Sequence, residues 1–314
     1  METVDEDNAG QRVDNFLLSR LKGVPKSHVY RIVRSGEVRV NSKRVDASHR
    51  LQDGDVVRIP PVRMAEKAPA QRIGIPEGTT LLPAILFEDD HLIALAKPSG
   101  LAVHGGSGVS LGVIELLRRE YSQLKFLELV HRLDRETSGI LLVAKKRTAL
   151  LGMHNALRAG EMEKHYLALV HGQWKNARQH VKVSLQKFLT ESGERRVAVN
   201  EEGQTAHSIF SLVTGYQTAS LLDAQIKTGR THQIRVHLAH LEFPILGDAK
   251  YGDFALNKKL ASSGLKRMFL HAYKLAFKHP ATGEDIALEC PLPEELQRYL
   301  DTLGPPLPVK AARA

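Results

Sequence analysis

The stretch Ile140-Leu141-Leu142-Val143-Ala144 carries no polar side chain, and it follows directly on the mostly polar segment His131-Arg132-Leu133-Asp134-Arg135-Glu136-Thr137-Ser138-Gly139. An apolar run of this length reads as a buried strand. The segment before it then reads as a loop whose side chains the strand holds in fixed positions, as a chemical site requires. Further strand-like runs occur at Leu92-Ile93-Ala94-Leu95-Ala96, from Tyr166 to Val170 and from Ser220 to Ile226. They alternate with helix-like stretches, Gly112 to Glu120 and Leu150 to Arg158. This interleaving over residues 81–301 predicts an α+β domain built on a mixed sheet.

Residues 10–62 form a separate unit with its own pattern. Val13, Phe16, Leu17 and Leu21 fall on one face of a short helix, and Val29, Ile32 and Val33 repeat the spacing in a second. Ser35-Gly36 ends that helix. Val38 and Val40 then alternate with charged neighbours, Asn41-Ser42 and Asp53-Gly54 mark turns, and Val56-Val57-Arg58-Ile59 closes the unit. Two helices followed by a small antiparallel sheet are predicted. Residues 1–9, with four acids and no base, read as an acidic leader outside this unit, residues 63–80 as a linker, and residues 302–314 as a disordered tail.

Charge narrows the partner. Lys and Arg outnumber Asp and Glu by 44 to 35, and within residues 10–62 there are eleven bases against five acids. Lys26, Arg31 and Arg34 lie on or beside the second helix, with Arg39, Lys43 and Arg44 on the hairpin next to it. A solvated surface accounts for any one of these residues; the cluster on so small a unit fits an RNA-phosphate footprint better. One cysteine, Cys290, excludes a disulfide framework and a cysteine-rich zinc site. The amino terminus lacks the apolar core of a secretory signal, and no run of eighteen apolar residues exists to span a membrane, so a cytoplasmic location is expected.

Within the polar loop, Asp134 has Arg132 and Arg135 as close neighbours. A carboxylate beside guanidinium groups stays ionised when partly desolvated, because opposite charge favours its charged form. Taken alone, the pattern favours a salt-bridged loop aspartate over a reactive one. His232, His237 and His240 invite a metal reading, but spacings of five and three do not place all three on one helix face, and no metal is expected. Gly105-Gly106-Ser107-Gly108 lacks the Gly-Lys-Ser/Thr ending of a phosphate loop and reads as a turn contacting substrate.

Two resemblances go beyond these readings. Arg12-Val13-Asp14 and the run from Ser27 through Arg31, Arg34 and Gly36 to Asn41 resemble the S4 domain, an RNA-binding module. Residues 84–290 resemble the pseudouridine synthases that modify ribosomal and transfer RNA. That resemblance rests on Lys97-Pro98-Ser99-Gly100, the loop from His131 to Gly139, Glu163-Lys164-His165-Tyr166, and Lys227-Thr228-Gly229-Arg230-Thr231-His232-Gln233-Ile234-Arg235-Val236-His237. Pro244-Ile245-Leu246-Gly247-Asp248, Tyr251-Gly252 and Leu270-His271-Ala272 continue it in order.

The resemblance implies a mixed, mainly antiparallel sheet flanked by helices around a central cleft, and isomerisation of uridine without a cofactor. Asp134 takes the place of the essential aspartate, as nucleophile at C1′ or base at C2′. Tyr166 takes that of the tyrosine that stacks on the base and assists proton removal from C5, and Arg230 that of the arginine paired with the aspartate. Arg132 matches an arginine that fills the space left by the flipped nucleotide, a role suited to a plane that stacks while its charge contacts phosphate. Large-subunit ribosomal RNA is the expected substrate and a monomer the expected state. Transfer RNA is the alternative within the class, and a non-catalytic RNA-binding assembly factor the alternative outside it.

Overall fold

The computed structural model describes residues 1–5, 8–21, 23–62, 82–105, 111–191 and 193–307. The expected linker at 63–80 and the residues Gly106-Ser107-Gly108 lie outside them. The chain divides into two compact units, Met1–Thr80 and Leu81–Ala314.

In the first unit, β1 (Glu2–Thr3) precedes helices α1 (Val13–Arg20) and α2 (Lys26–Arg34), and β2 (Arg39–Val40) and β3 (Val56–Arg58) follow. Val13, Phe16, Leu17, Val29, Ile32 and Val33 are buried together with Val38 and Val57, as their helical and alternating spacings predict. The sheet order is β1-β3-β2, all antiparallel. The acidic leader is therefore corrected: Glu2 and Thr3 pair with Val57 and Val56, Val4 is buried, and Glu2 ion-pairs with Arg20. The tight β2 turn works because Asn41 and Ser42 both adopt positive φ, 49° and 66°, a conformation that asparagine tolerates. Asn41 then binds Asp55 and the backbone of Val56 at 2.7 and 2.9 Å. Buried Asp14 accepts two bonds from Arg12 and one from the Tyr30 hydroxyl, which explains the Arg12-Val13-Asp14 signature.

The second unit is one mixed sheet. Its strands are β4 (Ala84–Glu88), β5 (Leu92–Lys97), β6 (Glu128–Leu129), β7 (Ser138–Ala144), β8 (Glu163–His171), β9 (Arg178–Leu189), β10 (Arg195–Val199), β11 (Gln204–Gly215), β12 (Ala219–Ile226), β13 (Leu270–Lys278) and β14 (Asp285–Glu289). They run in the order β10-β9-β11-β12-β8-β13-β7-β5-β4, with β14 beside β13 and β6 beside β7. Every pairing is antiparallel except β13 with β7. Helices α3 (Val113–Glu120), α4 (Arg147–Ala159), α5 (Gln233–His240), α6 (Phe254–Ser262) and α7 (Glu294–Asp301) complete the unit.

The apolar run that opened the argument is β7, buried on both faces. Leu141 and Val143 join one core with Ile93 and Leu95, while Ile140, Leu142 and Ala144 join another with Ala149 and Met153 of α4. Side chains alternate across a strand, so no polar residue fits anywhere along this one. Gly139 stands where β7 meets β13: its φ is +113°, and a Cβ there would lie 2.1 Å from the carbonyl oxygen of Ala272. The tail is anchored over its first residues, since Leu303 packs on the core and the Leu307 N–H donates to the Gly215 carbonyl at 2.8 Å. Residues 308–314 lie outside the described ones. Among the described residues no helix is long and apolar enough to cross a membrane.

Candidate active site

The loop between β6 and β7 is fixed by the segment that follows β5. Lys97, 1% exposed, donates to the carbonyls of Pro98, Leu101 and Arg135 at 2.9, 2.8 and 3.0 Å. Ser99 Oγ donates to the Glu136 carbonyl at 2.8 Å, and Arg135 Nε donates to the Gly100 carbonyl at 2.9 Å. Burial, followed by the charge of Arg267, pulls the Lys97 ammonium down to about 7. Three carbonyls use all three of its donors, so the lysine is part of the frame. The loop ends in its own turn, Thr137 N–H to Asp134 carbonyl at 3.1 Å.

Asp134 lines a small cavity of about 80 Å³ with Arg132, Tyr166, Ile226, Arg230, His232, Arg235 and Leu270 among its walls. Arg235 Nη1 donates to Asp134 Oδ2 at 3.0 Å. The same guanidinium grips Asp248 through two bonds of 2.7 Å, from Nε to Oδ2 and from Nη2 to Oδ1. Arg235 and Asp248 are 5% and 1% exposed. Burial alone would lower the Arg235 pKa and raise that of Asp248; their mutual contacts outweigh it, so Arg235 is raised and Asp248 lowered. Oδ1 of Asp248 also accepts from the N–H groups of Lys250 and Tyr251. Among the described residues no donor reaches Asp134 Oδ1.

His232 approaches the same carboxylate oxygen, with Nε2 at 3.8 Å from Oδ2. Its backbone is left-handed, φ 55°, an uncommon state for a residue with a Cβ and one that clusters at functional sites. Its Nδ1 meets the Tyr251 hydroxyl at 2.7 Å, and that oxygen accepts the Val197 N–H at 3.0 Å. Tyr166, 7% exposed, has its pKa raised by burial and then by the charge of Asp134. Its phenol stays protonated at neutral pH, which makes it a stacking face and a hydrogen-bond donor.

Comparison with known proteins gives this arrangement a lineage. Residues 91–240 match the family model described as RNA pseudouridylate synthase, and residues 11–57 match the S4 domain. A relative from Yersinia pestis, "Ribosomal large subunit pseudouridine synthase C", is 52% identical over 299 residues, covering 95% of this chain and 93% of its own. The protein of that name from Escherichia coli strain K12 is 52% identical over 303 residues, covering 96% and 95%. The chain belongs to the RNA pseudouridine synthase family. The solved structure of human RNA Pseudouridylate Synthase Domain Containing 4 superposes with a TM-score of 0.57 at 27% identity, over 70% of this chain and 92% of that one.

Set against the expectations for this synthase, Asp134, Tyr166, Arg132 and Arg230 do line one cavity. The expected pairing of Arg230 with Asp134 is corrected. Arg230 Nε donates to the Thr205 carbonyl at 3.2 Å, and Arg235 takes the aspartate instead. The left-handed turn at His232 separates the two arginines, leaving Arg230 at the surface while Arg235 enters the buried face of α5. Arg132 and Arg135 do not pair with Asp134 either: Arg135 serves the frame, and among the described residues the Arg132 side chain has no hydrogen bond or ion pair. Arg235, Asp248, His232 and Tyr251 were missed as site residues. Ile234, Val236 and Leu238 around Arg235 held the signal, since an arginine in so apolar a helix must find a buried partner.

In the S4 unit Arg34, Lys43 and Arg44 border one groove with a volume of about 710 Å³. Arg44 Nη2 donates to the Ser35 carbonyl at 2.6 Å. Lys26, Arg31 and Arg39 lie outside that groove; Arg31 lies 3.8 Å from Glu37, and Arg39 donates to the Ser42 carbonyl.

Proposed function

We infer that this pseudouridine synthase acts on large-subunit ribosomal RNA, with Asp134 as the group that attacks or deprotonates the sugar, and that it works in the cytoplasm as a monomer. The substrate is carried by the relatives named for it, 52% identical over nearly the whole length. The role of Asp134 is supported by one observation: a carboxylate whose Oδ2 is held by Arg235 while, among the described residues, Oδ1 has no donor. In the reaction the N1–C1′ bond breaks with its electron pair on uracil. The base turns over, C5 bonds to C1′, and the proton on C5 leaves. The free Oδ1 serves either route, bonding to C1′ or taking the proton from C2′.

Tyr166 stacks on the base and donates to it, Arg132 supports the RNA from which the uridine is extruded, and Arg230 binds RNA at the cavity mouth. Lys26, Arg31, Arg34, Arg39, Lys43 and Arg44 of the S4 unit contact phosphates. No redox or phosphoryl step enters, so the chemistry calls for no cofactor. The test is Asp134→Asn, nearly isosteric and unable to act as nucleophile or base. It is expected to bind ribosomal RNA with normal affinity and form no pseudouridine; turnover near that of the unaltered enzyme would overturn the role.

A further inference from the structure

Buried cations in the second unit come with partners, with one exception. Lys97 has three carbonyls, Arg235 two carboxylates, and the half-buried Arg267 has Glu295, the Ser138 hydroxyl and the carbonyls of Met268 and Leu270. Lys164 is 7% exposed and, among the described residues, makes no hydrogen bond or ion pair. Its neighbours make matters worse for a positive charge. The exposed ammonium of Lys227, itself without an acidic partner, repels it, and Lys164 in turn acts on the imidazole of His131. Desolvating an unpaired charge beside a like charge is costly, and a fold keeps such an arrangement where a ligand supplies the missing counter-charge.

The position says which ligand. Lys164 and Tyr166 are two apart on β8 and share one face of the sheet. β8 pairs with β12 at His165 and Gln225, and one step further along that register stands Ile226, a wall of the Asp134 cavity like Tyr166. Across the other edge, Lys164 faces the apolar Leu275 of β13. The ammonium nitrogen is not among the sealed, unbonded polar atoms, so it keeps an opening to solvent. A uridine seated against Asp134 carries phosphates on both sides of its sugar, and β8, which holds Tyr166 in the cavity wall beside Ile226 of β12, also carries Lys164. We propose that Lys164, assisted by Lys227, is a built anion subsite that takes a backbone phosphate flanking the uridine to be isomerised. The subsite rests on the reading of the Asp134 cavity as the place where the uridine binds.

Lys164→Met keeps the length and removes the charge. RNA affinity is expected to fall about tenfold, and the slope of log affinity against log salt to shrink by about 0.7 to 0.9, the share of one phosphate. Lys164→Arg should keep the slope. The Met variant should also melt no lower than the unaltered protein, because a desolvated, unpaired cation has been removed; a purely structural lysine would give a lower melting temperature. Unchanged affinity and slope, or a lower melting temperature with unchanged affinity, would each overturn the subsite. Asp134→Asn is assayed in parallel: if it still forms pseudouridine, the cavity reading fails, whatever Lys164→Met shows.

Discussion

Replacing Arg235 by Gln tests whether one guanidinium both holds the core and aims the Asp134 carboxylate proposed to act on the sugar. Three charge-assisted bonds are lost, of 2.7, 2.7 and 3.0 Å. Removing one partner of a buried ion pair costs about 3–5 kcal/mol, most of it from the charge left behind. Asp248 keeps two backbone donors, but both serve Oδ1, and Oδ2 loses its guanidinium contact. That places the expected loss of stability near the lower end, about 3 kcal/mol. Asp134 loses the group that fixes Oδ2, and a misplacement of about 1 Å is worth roughly 10²-fold in rate, or about 2.7 kcal/mol of barrier. Urea unfolding measures the first quantity; single-turnover release of the C5 hydrogen from labelled RNA measures the second. The double variant Arg235→Gln with Asp248→Asn separates them. With no buried charge left unpaired, about 2 kcal/mol of stability should return, while the rate should stay low because Asp134 is still unheld. If the double variant regains the rate along with the stability, Arg235 acts only through the fold, and the aiming role is refuted.

Three further outcomes are expected. Asp248 has a lowered folded pKa, so its contribution is present above the ordinary carboxylate value near 3.9 and is lost as pH falls through the folded value. Acid unfolding should show a steeper loss of stability below about pH 4 than in Asp248→Asn, and equal slopes would rule this out. Tyr166→Phe keeps the ring and removes a hydroxyl that has no protein hydrogen bond; RNA affinity should barely move while turnover drops by about 10²-fold, the range for one active-site donor, and a normal rate would leave the hydroxyl no role. Gly139→Ala forces a Cβ to within 2.1 Å of the Ala272 carbonyl oxygen at φ +113°, so a loss of about 3 kcal/mol or failure to fold is expected, and a protein that melts normally would contradict the close approach.

What could be read in the sequence was whatever depended on near neighbours. The helices of the S4 unit, β5, β7 and α3 follow from spacings of two or of three and four, because each buries one stripe or two faces. β13 was not legible as a strand: a register shift between Ala272 and Lys274 breaks its alternation, and it runs on into half-exposed positions. β1 was hidden because the strand itself is Glu2 and Thr3, and only Val4, just after it, is buried. The partner of Asp134 was misassigned for a similar reason. Arg230 and Arg235 are five residues apart, and only the left-handed turn at His232 decides which one points inward. Local pattern marks a residue as reactive, but a buried salt bridge across 101 positions belongs to the tertiary structure.

The distribution of satisfied and unsatisfied charge around Asp134 then carries an argument of its own. Lys97 and Arg235 are buried and bonded to protein acceptors, three bonds each, and they fix the loop and the carboxylate. Arg132 lines the Asp134 cavity and Lys164 stands two residues from Tyr166 on β8, and among the described residues neither side chain has a hydrogen bond or ion pair. A rigid anionic centre needs the first pair in any state, since a loose carboxylate would lose its aim. The second pair fits the proposed arrival of a polyanion, because among the described residues neither cation has a counter-charge. If Arg132 and Lys164 were instead structural, replacing both by Met would change stability and leave salt dependence alone. The expected result is the reverse: a folded protein whose affinity for RNA falls and whose salt slope shrinks by about 0.7 to 0.9 for each phosphate contact removed.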